Sequence, residues 1–98
     1  MRMNRQTVLV LGTGRSGVAA AKQIIAMGGE VVFFDANPKV DEKKLLSQFK
    51  KKEGIKVAKV IKGKLSDRDL LKIDAAVISP GIPMDEPYVL SIHTAQIP

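Results

Sequence analysis

Thr7-Val8-Leu9-Val10-Leu11 runs straight into Gly12-Thr13-Gly14-Arg15-Ser16-Gly17, and this junction constrains the fold more than any other stretch of the chain. The five residues before it are apolar or β-branched with no alternation, the pattern of a strand buried on both faces. Residues 18–27 follow as a helix with Val18, Ala21 and Ile25 on one face. Strand, glycine-rich turn and helix in that order open a βαβ unit. Each glycine of Gly12-x-Gly14-x-x-Gly17 then has its own task. The first permits the tight turn, the second lets a phosphate approach the backbone with no Cβ in between, and the third lets helix pack against strand. The free amides of the first helical turn, with the positive end of the helix dipole, make a place for an anion. Arg15 adds a charge there and Ser16 a hydroxyl donor. A ligand-free strand-to-helix turn uses the same glycines, so the pattern alone leaves both readings open.

The alternation continues along the chain. Gly28-Gly29 stops the helix, and residues 30–35 form a second strand that ends in Asp35. Asn37-Pro38 breaks the chain. Asp41 caps a helix predicted to run to about Glu53, stapled by Val40 and Leu45, with Leu45, Leu46 and Phe49 inward and Gly54 at its end. Residues 56–61 read as the third strand, the most polar and therefore an edge. Ser66 and Asp69 form a capping signal for a short helix carrying Leu70, Leu71 and Ile73. Residues 75–78 read as a fourth buried strand, left through Ser79-Pro80-Gly81-Ile82-Pro83. Asp85 or Glu86 caps a last helix with Pro87 in its first turn, and Ile97-Pro98 looks like the opening of another strand. The order β-α-β-α-β-α-β-α predicts one Rossmann-like domain over residues 1–98. It is a three-layer α/β/α sandwich with a parallel sheet in the order 3-2-1-4, cut off after the fourth βα unit.

In that order the loop Ser79-Pro80-Gly81 leaves its strand beside the Gly12–Gly17 loop, across a cleft at the switch point where open α/β sheets bind ligands. Asp35, 23 positions after Gly12, stands where a dinucleotide site places its ribose acid. An aspartate there serves equally to accept from a base N–H or to cap the turn before Asn37-Pro38.

Composition excludes several classes. The chain has no cysteine, which removes a disulfide framework, a thiolate metal site and a cysteine nucleophile. One histidine, His93, builds no histidine cluster, and no metal site is expected. No apolar run approaches the roughly 18 residues of a membrane span, so a cytoplasmic domain is the expectation. A net charge of +6 raises the question of a nucleic-acid partner. Nine lysines between Lys43 and Lys64 carry most of it, with no tryptophan and few other aromatics to stack on bases. A solvated lysine-rich face accounts for them better. No Gly-x-x-x-x-Gly-Lys-[Ser/Thr] loop and no Ser/His/Asp set is present, so a binding cleft is expected without catalytic machinery or a cofactor of its own.

Three stretches together resemble the N-terminal domain of the Mur ligase family, in its D-glutamate-adding branch. They are residues 8–17, Phe34-Asp35, and Val77-Ile78-Ser79-Pro80-Gly81-Ile82-Pro83. The last is the most discriminating, since it is no part of the usual dinucleotide fingerprint. The resemblance implies a domain that holds the UDP part of UDP-N-acetylmuramoyl-L-alanine. It places Gly14, Arg15 and Ser16 at the diphosphate, Asp35 and Ala36 near the uracil, and Ser79, Pro80, Gly81 and Ile82 on the uridine side, with Gly12 and Gly17 structural. Ala36 departs from the hydroxyl residue that members of the family often carry after the acid. The resemblance further implies ATP, Mg²⁺ and an acyl-phosphate intermediate, all on a central and a C-terminal domain outside these 98 residues. The chain alone would be inactive. The rival reading is an NAD(P)-binding domain of a dehydrogenase or nucleotide sensor, whose glycine fingerprint is met as written.

Overall fold

The computed structural model describes residues 6–94 apart from 81 and 84. Among these residues four strands and four helices follow in the order β1 (Thr7–Leu11), α1 (Arg15–Ala26), β2 (Glu30–Asp35), α2 (Glu42–Leu46), α3 (Lys51–Gly54), β3 (Val57–Lys62), β4 (Ala75–Ile78) and α4 (Pro87–Thr94), with only a 3₁₀ turn at Arg68–Leu70 between β3 and β4. All strand pairs are parallel and the order is β3-β2-β1-β4, as predicted.

The two central strands are buried on both sides, and their side chains alternate between two cores. Val8, Val10, Val31 and Phe33 face Val18, Ala21 and Ile24 of α1 together with Leu45 and Phe49. Phe33 meets Phe49 edge to face at 6.0 Å between centroids, and the Lys22 ammonium lies over the Phe49 ring. On the other face Leu9, Leu11, Val32 and Phe34 pack with Leu70, Val89 and Ile92. This is the three-layer α/β/α arrangement. The inward residue at the end of α1 is Ile24, and Ile25 only flanks the core. Three-residue steps from Val18 reach Ala21 and Ile24, and the helix axis settles on that row.

Three elements differ from expectation. The helix predicted from Asp41 to about Glu53 is two short helices. Asp41 does cap α2, accepting the Lys44 N–H at 3.1 Å. The Ser47 hydroxyl then donates to the Lys44 carbonyl at 2.6 Å and ends the helix. Lys50 turns extended while Phe49 enters the core, and the Glu53 carboxylate accepts the Lys50 N–H at 2.8 Å to start α3. Gly54 is the last residue of α3 and Ile55 its cap, so the stop needs no left-handed glycine. The helix expected after Ser66 is a single 3₁₀ turn. Ser66 and Asp69 form the expected reciprocal cap, but Leu71 points outward, 80% exposed. With only that turn over β3, a groove of about 580 Å³ lies open between Ala58, Ile61, Leu71 and Ile73. Lastly β4 is half covered rather than buried, because β1 is its one neighbour among the described residues. The strand read at Ile97-Pro98 lies outside the described residues.

Candidate functional site

β1 and β2 deliver their C-terminal ends side by side, and the loops leaving them build the site. Gly12 takes a left-handed φ of 106° and donates its N–H to the Phe34 carbonyl at 2.8 Å. A side chain at Gly12 would also strike the Ser79 hydroxyl at 2.8 Å. Gly17 lies in the first turn of α1, where an added Cβ would fall 2.0 Å from the Gly12 carbonyl oxygen. That contact is the close packing for which the third glycine is needed. Gly14 is different: its backbone is extended, with φ −78°, and open space surrounds the position of its missing Cβ.

Gly14 is the N-cap of α1, and no side chain caps the helix. The Val18 N–H bonds the Gly14 carbonyl at 2.9 Å, so the amides of Arg15, Ser16 and Gly17 come before the first helical bond. No acidic residue stands in that first turn, and Arg15 and Ser16 are exposed. The helix therefore presents its positive end uncompensated to solvent, an arrangement that accommodates an anion.

Beside it lies a cavity of about 140 Å³ bounded by Gly12, Phe34, Asp35, Ala36, Ile82 and Tyr88. The Tyr88 ring packs on Phe34 at 5.0 Å between centroids. Burial, then the charges of Glu86 and Asp35, raise the Tyr88 phenol above its ordinary value, so it stays neutral at physiological pH. The wall is aromatic and apolar with one carboxylate at its rim, which suits a flat heterocycle with a polar edge.

Gly12, Asp35, Ala36 and Ile82 thus line one cavity; Gly14, Arg15 and Ser16 are not part of its wall and follow Gly12 along the same loop into α1. Ser79 turns inward, donating its hydroxyl to the Leu11 carbonyl at 2.7 Å. This pins the exit of β4 against β1, so the open space lies toward β2 and α4 rather than between the exits of β1 and β4. Pro80 is exposed, and Gly81 lies outside the described residues. Asp35 also does what the turn reading expected, accepting the Asn37 N–H at 2.9 Å. Two site residues escaped the sequence reading. Tyr88 is the sole tyrosine, one position past Pro87 in the helix that follows the Ser-Pro-Gly-Ile-Pro exit. Thr13 reaches Asp35 with its hydroxyl at 2.7 Å; its signal was a hydroxyl residue inside a glycine turn.

Fold and glycine loop define a Rossmann-like α/β domain. Solved structures share that fold. A precorrin-2 dehydrogenase, SirC, matches the whole chain over 44% of its own length at TM-score 0.59 and 18% identity. The lactate dehydrogenase of Eimeria maxima matches 98% of the chain over 30% of its own at TM-score 0.52 and 20% identity. The chain belongs to the Mur ligases: the family profile for the Mur ligase MurD-like, N-terminal domain matches residues 6–98. The UDP-N-acetylmuramoylalanine–D-glutamate ligase of Lachnospira eligens is 39% identical over 98 residues, all of this chain and 21% of that protein. The ligase of the same name from Lachnoclostridium phytofermentans is 34% identical over 95 residues, 93% of this chain and 19% of that protein. The chain spans about a fifth of the length of these curated relatives.

Proposed function

We propose that this chain is the part of a D-glutamate-adding ligase of peptidoglycan synthesis that holds the UDP moiety of UDP-N-acetylmuramoyl-L-alanine. The observation that carries the reading is the uncapped start of α1 beside an aromatic-walled cavity with Asp35 at its rim. The diphosphate oxygens take the amides of Arg15, Ser16 and Gly17, with the Arg15 guanidinium available for a second, charged contact. Gly14 keeps that approach open. The uracil lies between Ala36, Ile82 and Tyr88 with one edge toward Asp35, and Ser79 supports the site from the β4 side by fixing the exit of β4 against β1.

Bound elsewhere in a full ligase, ATP with Mg²⁺ would supply the phosphoryl group that activates the substrate carboxylate toward an amine, leaving ADP and, after amide formation, phosphate. Among the described residues no three His or acidic side chains converge, and the sequence holds no phosphate loop of the Gly-Lys-[Ser/Thr] type. No step of that chemistry is assigned to this chain. Its task is anchoring, on its own without turnover. A cytoplasmic setting fits a nucleotide-linked substrate; among the described residues no helix is long and apolar enough to cross a membrane.

The test is a titration of the chain with UDP, UDP-N-acetylmuramoyl-L-alanine and NADH, followed by amide chemical shifts. Response of residues 14–17, Asp35 and Tyr88 to both uridine compounds is expected. Saturation by NADH with no uridine response would overturn the reading in favour of a dinucleotide domain.

A further inference from the structure

Asp35 occupies the position from which a dinucleotide fold holds an adenosine ribose, yet most of its acceptor capacity is already spent inside the protein. Its Oδ2 accepts the Thr13 hydroxyl at 2.7 Å and the Thr13 N–H at 3.3 Å. Its Oδ1 accepts the Asn37 N–H at 2.9 Å. An ionised carboxylate offers about four acceptor positions, so one is left, on Oδ1. A vicinal diol gripped by one carboxylate needs two. A single N–H donor, such as a pyrimidine imide, needs one.

We infer that Thr13 is a specificity-positioning residue. It latches the glycine loop to Asp35 through its hydroxyl and its amide, and leaves the carboxylate able to serve one donor and unable to grip a ribose diol. The site thereby takes a nucleotide read at a single N–H and turns away adenine dinucleotides, although the glycine spacing suits both. Gly12 holds the other end of the latch, since its N–H bond to the Phe34 carbonyl fixes the loop one residue before Thr13. The inference rests on the uridine reading above and deepens it.

The experiment compares UDP and NADH affinities of the wild-type chain, Thr13→Ala and Thr13→Ser. Thr13→Ala removes the hydroxyl bond and keeps the amide bond, so it frees one acceptor position on Oδ2 beside the one on Oδ1, the two a diol needs, and makes room there; Thr13→Ser keeps the hydroxyl. The expected result is a preference for UDP in the wild type that falls at least about tenfold in Thr13→Ala, roughly 1.4 kcal/mol, with NADH gaining. Thr13→Ser should restore it. Should Thr13→Ala not fold, Thr13→Gly carries the same comparison. UDP binding with an unchanged preference in the variants overturns the latch and leaves the uridine reading standing. Equal loss of both ligands in Thr13→Ala also overturns it, marking Thr13 as merely structural. No UDP response in the wild type overturns both.

Discussion

Three glycines five residues apart end to end carry three separable constraints, and single substitutions tell them apart. At Gly17 a methyl group would overlap a backbone carbonyl at 2.0 Å, and neither partner can swing away as a flexible side chain would. Gly17→Ala should therefore cost about 3 kcal/mol, the upper end for overpacked sites, read as a shifted urea midpoint. An unchanged midpoint would contradict the packing argument. At Gly14 a methyl group meets nothing within 4 Å and the backbone conformation is ordinary for any residue. Gly14→Ala should cost no more than about 1 kcal/mol, the scale of a poorer N-cap residue, while weakening the UDP response, because the methyl stands on the path of the diphosphate. A variant that binds UDP as the wild type does would show that the phosphate does not approach there.

Among the elements, the 3₁₀ turn between β3 and β4 is small yet electrostatically defined. The Ser66 N–H lowers the Asp69 carboxyl below its usual 3.8; partial burial opposes this, and the Ser66 hydroxyl and Lys59 ammonium lower it further. A carboxyl depressed on folding contributes stability above its unfolded value and loses it as pH falls through the folded value. Asp69→Ala should cost about 1 kcal/mol at neutral pH, as for a lost cap. The gap to the wild type should close in urea melts carried out below pH 3.8. A gap of equal size at pH 7 and pH 3 would contradict the assignment. The same region shows where sequence patterning runs out. β1 and β2 were legible because continuous apolar runs leave a buried strand few alternatives. The Ser66–Asp69 cap was legible because capping is local. The length of the helix after it was not, because outward-facing Leu71 reads as core in any periodic pattern. The split between α2 and α3 was hidden for a related reason: it depends on Phe49 finding Phe33 of β2 in the core that covers one face of the sheet, a contact no local pattern contains.

At the scale of the whole molecule, the order β3-β2-β1-β4 decides which loops can meet. It brings the exit of β1 between those of β2 and β4, and so sets Gly12 against both Phe34 and Ser79. Most of the candidate site was readable in advance because glycine spacing and strand order fix backbone positions. Thr13 and Tyr88 were not, because their places depend on side-chain partners, Asp35 and Phe34, distant in sequence. The ligand is the point on which the fold is silent, since dehydrogenases share it. A crystal of the chain soaked in UDP addresses this directly. Diphosphate oxygens within hydrogen-bond reach of the Arg15 and Ser16 amides, with the uracil against Ile82 and Tyr88, are the predicted result. UDP bound elsewhere, or the start of α1 covered by the protein's own side chains while UDP is present, would contradict it.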